Sequence, residues 1–329
     1  MERLITCITI VLILLSSCRG LDEPAPRQMD IVVSVAPAAT KAKDPDEDLI
    51  KDINLFIFDG NGDRESHKYL KATRLVNIYG KVKMNASIAL GAPYTIVCCA
   101  NMGKDLSGVT KLDELREKRV SLAYPDGYSE GIPMVGVVEG PWGLDQKEIE
   151  VPMERMMAKI SISLDRSALD NDVSMIVRSL RIGNCPKSAS ILGPSKVESG
   201  ADVFSTGFLR TGSELNALNN NSQSEVDVYM FENMQGDLLS GISEDAEKVL
   251  YDSSYLSAVC SYIEMRIEYS SPSRASRPEE YLIYRFYLGE SVENFDIERG
   301  CHYHFAMRPE DDGLNESSWR VDKSSIYEY

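Results

Sequence analysis

A period of two runs through this chain and limits what it can fold into. In YIEMRIEY at residues 262–269, Ile263, Met265, Ile267 and Tyr269 fall on one side of an extended backbone, while Glu264, Arg266 and Glu268 fall on the other. Successive side chains of a strand face opposite ways, so this pattern makes a strand with one buried and one wet face, as one wall of a sandwich requires. Apolar or alternating runs of the same kind recur at 31–35, 53–58, 86–90 and 94–100, and again at 158–164, 175–182, 226–231, 281–288 and 302–307. Gly, Pro, Asn or Asp bound them, which is the strand signature. Both halves of the 329-residue chain therefore read as β-rich, and at ~150 residues per domain the length suits two domains. One short surface helix is expected in TKLDELREKR at 110–119, with Thr110 and Asp113 as a capping pair and Leu112 and Leu115 as an apolar edge laid over a sheet edge. The polar stretches 192–218 and 236–255 are too long for tight hairpins and read as crossovers or surface loops.

The amino terminus is of another kind. An apolar run at residues 4–15, LITCITIVLILL, follows Met1, Glu2 and Arg3, and it is shorter than the ~20 residues a bilayer demands. It reads as a secretory signal. Leu15, Ser16, Ser17 and Cys18 follow it and resemble the bacterial lipobox, so residues 1–17 are expected to be removed and Cys18 to carry lipid. Asp22 and Glu23, just beyond, resemble a surface-export signal of Bacteroidetes lipoproteins, and 18–27 reads as a linker. The formal net charge of −16 repels phosphate backbones, which argues against nucleic acid as a partner. Beyond Cys7 and Cys18, the cysteines are Cys98, Cys99, Cys185, Cys260 and Cys301, without C-x-x-C spacing. They read as small buried hydrophobes, with one long-range disulfide left open.

Enzyme signatures are weak. His302 and His304 form H-x-H, which on a strand puts both imidazoles on one side, but the remaining histidine is His67 and no acid stands at a recognisable spacing. GYSEG at 127–131 matches G-x-S-x-G, yet no apolar strand precedes Ser129 and no helix follows, so it reads as a loop. DGNGD at 59–63 is a turn in which Gly60, Asn61 and Gly62 accept positive φ. Counted as a calcium loop from Asp59 it offers Arg64 and Leu70 where Gly and Glu are needed. No Walker loop and no G-x-G-x-x-G occur. The expectation is a non-enzymatic protein without cofactor or metal.

Six segments are then familiar in their order: DINLFIFD at 52–59 with its GNGD, YTIVCCANMG at 94–103, MERMMAKI at 153–160, YMFENMQG at 229–236, YLGESVENFDIERGCHY at 287–303 and SWRVD at 318–322. Together they resemble the Bacteroidales fimbrial proteins, subunits or anchors of type V pili. The resemblance implies an all-β fold of two tandem transthyretin-like β-sandwich domains with a short surface helix, at 28–151 and 152–329, the second opening at MERMMAKI. It also implies lipoprotein export through Cys18 to the outer membrane, and assembly with other fimbrial subunits by strand donation. In stalk subunits of this family a trypsin-like protease cuts after the first strand, here 31–35, and frees a groove that the next subunit fills. The basic residues following that strand are Lys41 and Lys43, the candidate processing positions, whereas a cut at Arg19 or Arg27 would release the lipid without opening the groove. The candidate donor is the tail with Trp319, Val321, Ile326, Tyr327 and Tyr329, which reads equally as the last strand of its own domain. The alternative function is a surface lipoprotein that binds glycans, for which the loop aromatics are Tyr124, Tyr128 and Trp142.

Overall fold

The computed structural model describes residues 26–35, 47–71, 77–78, 81–143, 145–220, 224–243, 248, 254–272, 280–314 and 319–326. The first part of the chain supplies β1 (Pro26–Val35), β2 (Asp52–Asp59), β3 (Arg64–Lys71), β4 (Asn77–Ile78), β5 (Lys81–Ala89) and β6 (Tyr94–Ala100). After helix α1 (Leu112–Glu117) come β7 (Arg119–Ser121), β8 (Met134–Glu139) and β9 (Glu148–Arg155). All but β7 join one eight-stranded sheet in the order β3-β2-β6-β8-β9-β1-β5-β4. Its inward residues, among them Ile31, Val33, Ile53, Ile57, Met84, Ile96 and Val151, form one buried cluster. Since that cluster draws on both wings of the sheet, the sheet folds over and the wings meet across a shared core.

The rest of the chain supplies β10 (Met157–Leu164), β11 (Ala168–Leu169), β12 (Ser174–Gly183), β13 (Cys185–Pro186), β14 (Ser188–Ser190), β15 (Val203–Phe204) and β16 (Leu209–Thr211). Then follow α2 (Asn216–Asn220), β17 (Val226–Phe231), α3 (Ser254–Val259), β18 (Tyr262–Ser270), β19 (Glu280–Tyr287), β20 (His302–Asp311) and β21 (Trp319–Ile326). Strands β17, β10, β20 and β21 lie side by side with β11 at the far end of β20, and β16, β12, β18 and β19 form a second layer. Ile160, Ile162, Val177, Ile263, Met265, Ile267, Phe305 and Met307 fill the space between the layers. The all-β class with sandwich-like layers and few short helices is as the alternation required.

Three details depart from the sequence reading. Strand β9 runs from Glu148 to Arg155, straight through residues 151 and 152, so MERMMAKI closes one sheet before it opens the next. Helix α1 lies over a buried sheet face rather than a sheet edge: Leu112 and Leu115 pack with Phe56, Phe58 and Val97, in a cluster continuous with the core of the second part. Its cap is set by Glu114, whose carboxylate accepts the backbone N–H of Thr110 at 2.7 Å and of Lys111 at 3.3 Å, and not by Asp113.

Because β2 and β6 are covered on both faces, adjacent residues enter different cores. Cys98 belongs to the first cluster and Cys99 to the second. All five described cysteines are buried and free. Burial pushes the thiols of Cys99, Cys185, Cys260 and Cys301 up to about 12 and that of Cys98 well above its ordinary value. Thiolate is the reactive form, so none of the five should take up a maleimide at pH 8 while the protein is folded, and all should react in denaturant. Intact-mass spectrometry reads the difference.

Candidate strand-exchange site

Strand β1 occupies an unusual place for the first strand of a chain. It lies inside the sheet, antiparallel to β5 from Pro26 opposite Ala89 to Ser34 opposite Lys81, and parallel to β9 from Asp30 opposite Glu148 to Val35 opposite Met153. Alternation puts Met29, Ile31 and Val33 into the core, where Ile31 and Val33 are 0 % exposed. Each such side chain stabilises the fold by about 1.5–3 kcal/mol through burial alone. Apart from Val32, which is also buried, the outward row is polar: Asp30 pairs with Lys83 at 2.6 Å, Lys83 approaches Glu148 at 3.6 Å, and Lys81 approaches Glu150 at 3.4 Å. The hydrogen bond from Lys83 to Asp30 raises the lysine's pKa. In the strand order, β1 alone stands between β9 and β5. Taking it out would leave two rows of unpaired N–H and C=O groups on either side of an apolar slot, a surface that a second strand satisfies.

Lys41 and Lys43 lie outside the described residues, as do Cys18, Tyr327 and Tyr329. Glu47 is 3 % exposed. Its Oε1 lies 3.0 Å from Lys159 Nζ on β10 and accepts the hydroxyl of Tyr229 on β17. Lys159 also faces Asp227 at 3.2 Å. Arg155, at the end of β9 and fully buried, donates from Nε to the Glu47 carbonyl at 3.2 Å and from Nη2 to Asp48 Oδ1 at 2.7 Å. Asn101 then holds the next residues, donating to Leu49 O at 2.7 Å and accepting from the Lys51 N–H at 2.8 Å. Neither end of this clamp is visible in sequence, since Glu47 and Lys159 are far apart along the chain and each looks like a surface charge.

The familiar segments turn out to be hydrogen-bonding brackets. In DINLFIFD, Asp52 accepts the backbone N–H groups of Met102 and Gly103 at 3.1 and 3.0 Å, and Asn54 accepts that of Leu106 at 2.9 Å. YMFENMQG and DIERG face each other. Asn233 and Ile297 exchange backbone bonds, Asp296 accepts the Gly236 N–H at 2.6 Å, and Arg299 joins Glu232 at 2.8 Å while holding the carbonyl of Gly193. The tail segment Trp319–Ile326 is β21, an edge strand antiparallel to β20 with Trp319 opposite Pro309 and Ile326 opposite His302.

Other candidates resolve into structure. His302 accepts or donates at Ser161 Oγ, 2.7 Å away, and His304 meets Glu225 at 2.8 Å. Among the described residues, no group of three or more His, Cys, Asp or Glu side chains is placed to hold a metal. Gly127–Glu130 is a 3₁₀ turn. DGNGD is a turn closed by Asp59, which accepts the N–H groups of Asn61 and Asp63 at 2.9 and 2.8 Å, with Gly62 at φ +80°. Tyr128 is buried against Phe208 and Tyr229, whereas Tyr124 is 70 % exposed and Trp142 packs on the first core, so these three aromatics form no common platform.

Residues 28–165 match the family model of the major fimbrial subunit protein (FimA), the region that contains β1 from Gln28 onward, its two neighbours and Lys159. The resemblance to the Bacteroidales fimbrial proteins is borne out. Residues 228–307 match a second model, described as a domain of unknown function (DUF4906). No curated protein is similar to the chain in sequence. Among solved structures, the tip fimbrial protein Mfa3 from Porphyromonas gingivalis, truncated at its carboxyl terminus, has a TM-score of 0.58 at 11% identity, covering 91% of this chain and 99% of that one. A fimbrilin from the same organism has a TM-score of 0.52 at 12% identity, covering 90% and 96%. A candidate cell adhesion protein from Parabacteroides distasonis has a TM-score of 0.62 at 12% identity, covering 92% and 100%. At these identities the structural likeness is one of fold, and with the FimA match it supports a structural role in a fimbria, a cell-surface appendage.

Proposed function

We propose that the chain is a fimbrial subunit or anchor, exported as a lipoprotein through Cys18 and joined to its neighbours by exchange of β1. The observation that carries this reading is the place of β1. It is the first described strand, it is interior to its sheet, and its apolar face fills a core that β5 and β9 cannot close without it. The chain is read as two units that meet at Met156, between β9 and β10. While the chain is intact from Cys18, β1 fills its own slot and the lipid keeps the subunit at the outer membrane, which is the behaviour of an anchor. A cut at Lys41 or Lys43 frees β1 for replacement by a partner's extended segment, and the subunit then serves in a stalk or at a tip. The carboxyl-terminal segment, with Trp319, Val321, Ile326, Tyr327 and Tyr329, is the strand this subunit would give. An edge strand held on one side leaves its sheet at lower cost than an interior one.

Mass spectrometry of the mature amino terminus from native outer membranes tests the anchor against the stalk. For lipidation, Cys18→Ala should leave an uncleaved or mislocalised precursor, and normal processing and fractionation of that variant would sink the lipoprotein reading. Deleting residues 319–329 should stop fibre growth, and fibres of normal length would remove the tail from the mechanism.

A further inference from the structure

We infer that Glu47 is a positioning residue for strand exchange: it fastens the chain that follows β1 to the second sheet system, so that this end stays in place when β1 departs. The inference rests on the exchange reading above, and it adds a part that the groove alone does not supply. A cut between Val35 and Glu47 turns Glu47 into a residue near a chain end, and ends fray unless something ties them down. Here the tie is built. The carboxylate is inserted between Lys159 of β10 and Tyr229 of β17, and the Glu47 carbonyl and the Asp48 carboxylate are both held by Arg155.

The clamp is a polar bridge between the two halves, set beside the apolar contact that α1, Phe56 and Phe58 make with the second core. Arg155 ends β9, the strand that flanks the groove, while Lys159 and Tyr229 stand on the sheet beyond it. A neighbour entering beside β9 therefore meets a groove beside which the chain from Glu47 onward is fixed in advance. Charged groups this deeply buried persist only when paired, which gives the clamp its preference for an acid at position 47 over any apolar residue.

The test uses the full chain with a specific protease site placed between Val35 and Glu47, followed before and after cutting by hydrogen exchange at residues 47–52. In the parent protein the Lys51 N–H, bound to Asn101, should exchange within about threefold of its rate in the uncut chain. In Glu47→Ala it should exchange at least tenfold faster after cutting, with a much smaller difference before, and Glu47→Gln, which keeps an acceptor for Tyr229, should fall between. A merely structural role would instead lower stability equally in cut and uncut protein. If Glu47→Ala fails to fold, Tyr229→Phe removes one bond of the clamp at nearly constant volume and should show the same cut-dependent loosening. Equal protection in cut Glu47→Ala and cut parent, or loss of protection in the cut parent itself, overturns the inference. Intact-mass analysis of the same samples follows the β1 fragment and an added synthetic copy of residues 26–35. A fragment that never leaves and is never replaced counts against strand exchange while leaving the clamp standing.

Discussion

Ile31→Asp is expected to destabilise the protein by at least about 4 kcal/mol, because it puts an unpaired carboxylate where Ile31 is now wholly enclosed between the wings of the first sheet. Gln28→Asp, three residues earlier on an exposed position of the same strand, should stay within about 0.5 kcal/mol of the parent. Guanidinium unfolding measures both. The contrast isolates the inward face of β1 as the part that matters, since the backbone bonds to β5 and β9 are available to either variant. A synthetic strand of the parent sequence supplied in trans should bind the cut Ile31→Asp protein in preference to its own β1. Equal stability of the two variants would mean that the slot is not filled as described.

The second large effect is a dependence on pH. Burial, then His304 and Lys159 nearby, push the His302 pKa down from 6.5 to about 4, and the Asp227 carboxylate only partly opposes them. The groups that face it are Ser161 at 2.7 Å and the His304 ring at 4.0 Å between centroids, with Glu225 behind His304 and Lys159 paired to Asp227. The folded protein resists a proton that the unfolded chain accepts. This stabilisation is therefore complete above pH 6.5 and is lost as pH falls toward 4; at about 1.4 kcal/mol for each pH unit it amounts to about 3 kcal/mol. Denaturant midpoints at pH 7.5, 5.5 and 4.5 should fall steadily in the parent, and His302→Asn should flatten that part of the slope. A parallel slope in the variant would assign the effect to carboxylates elsewhere.

Strands with an apolar face were plain in the sequence because alternation is a local property. Tyr262–Ser270 and Val226–Phe231 appear where the pattern put them. Strand β9 was missed although EIEVPMER alternates strictly, with Ile149, Val151 and Met153 buried, because its Pro152 reads as a breaker and its other outward residues are acidic. Proline is tolerated there since Pro152 stands opposite Ser34 and its missing donor is confined to that one position. Strand β3 was missed for a different reason. RESHKYLK carries charge on an edge strand, which guards against unwanted pairing and hides the usual signature. At the site, the candidacy of the first strand was legible, but its two partners were not, because pairing β1 with β9 joins residues brought together by the folded sheet. Glu47 could not have been found by pattern at all, since its partners Lys159 and Tyr229 come from strands formed much later in the chain.

The orientation of β1 also decides how the molecule answers a pull. Its start at Pro26 is the end nearest the proposed tether, and its bonds run beside β5 from Pro26 to Ser34 and beside β9 from Asp30 to Val35. Tension drawn through Pro26 along the strand loads these bonds together, in shear, where a perpendicular pull would peel them one after another. Failure under load is a matter of unfolding rate rather than equilibrium. A fimbria held through such strands would therefore yield late and abruptly under axial tension, and its grip would grow with the length of strand that lies in the groove.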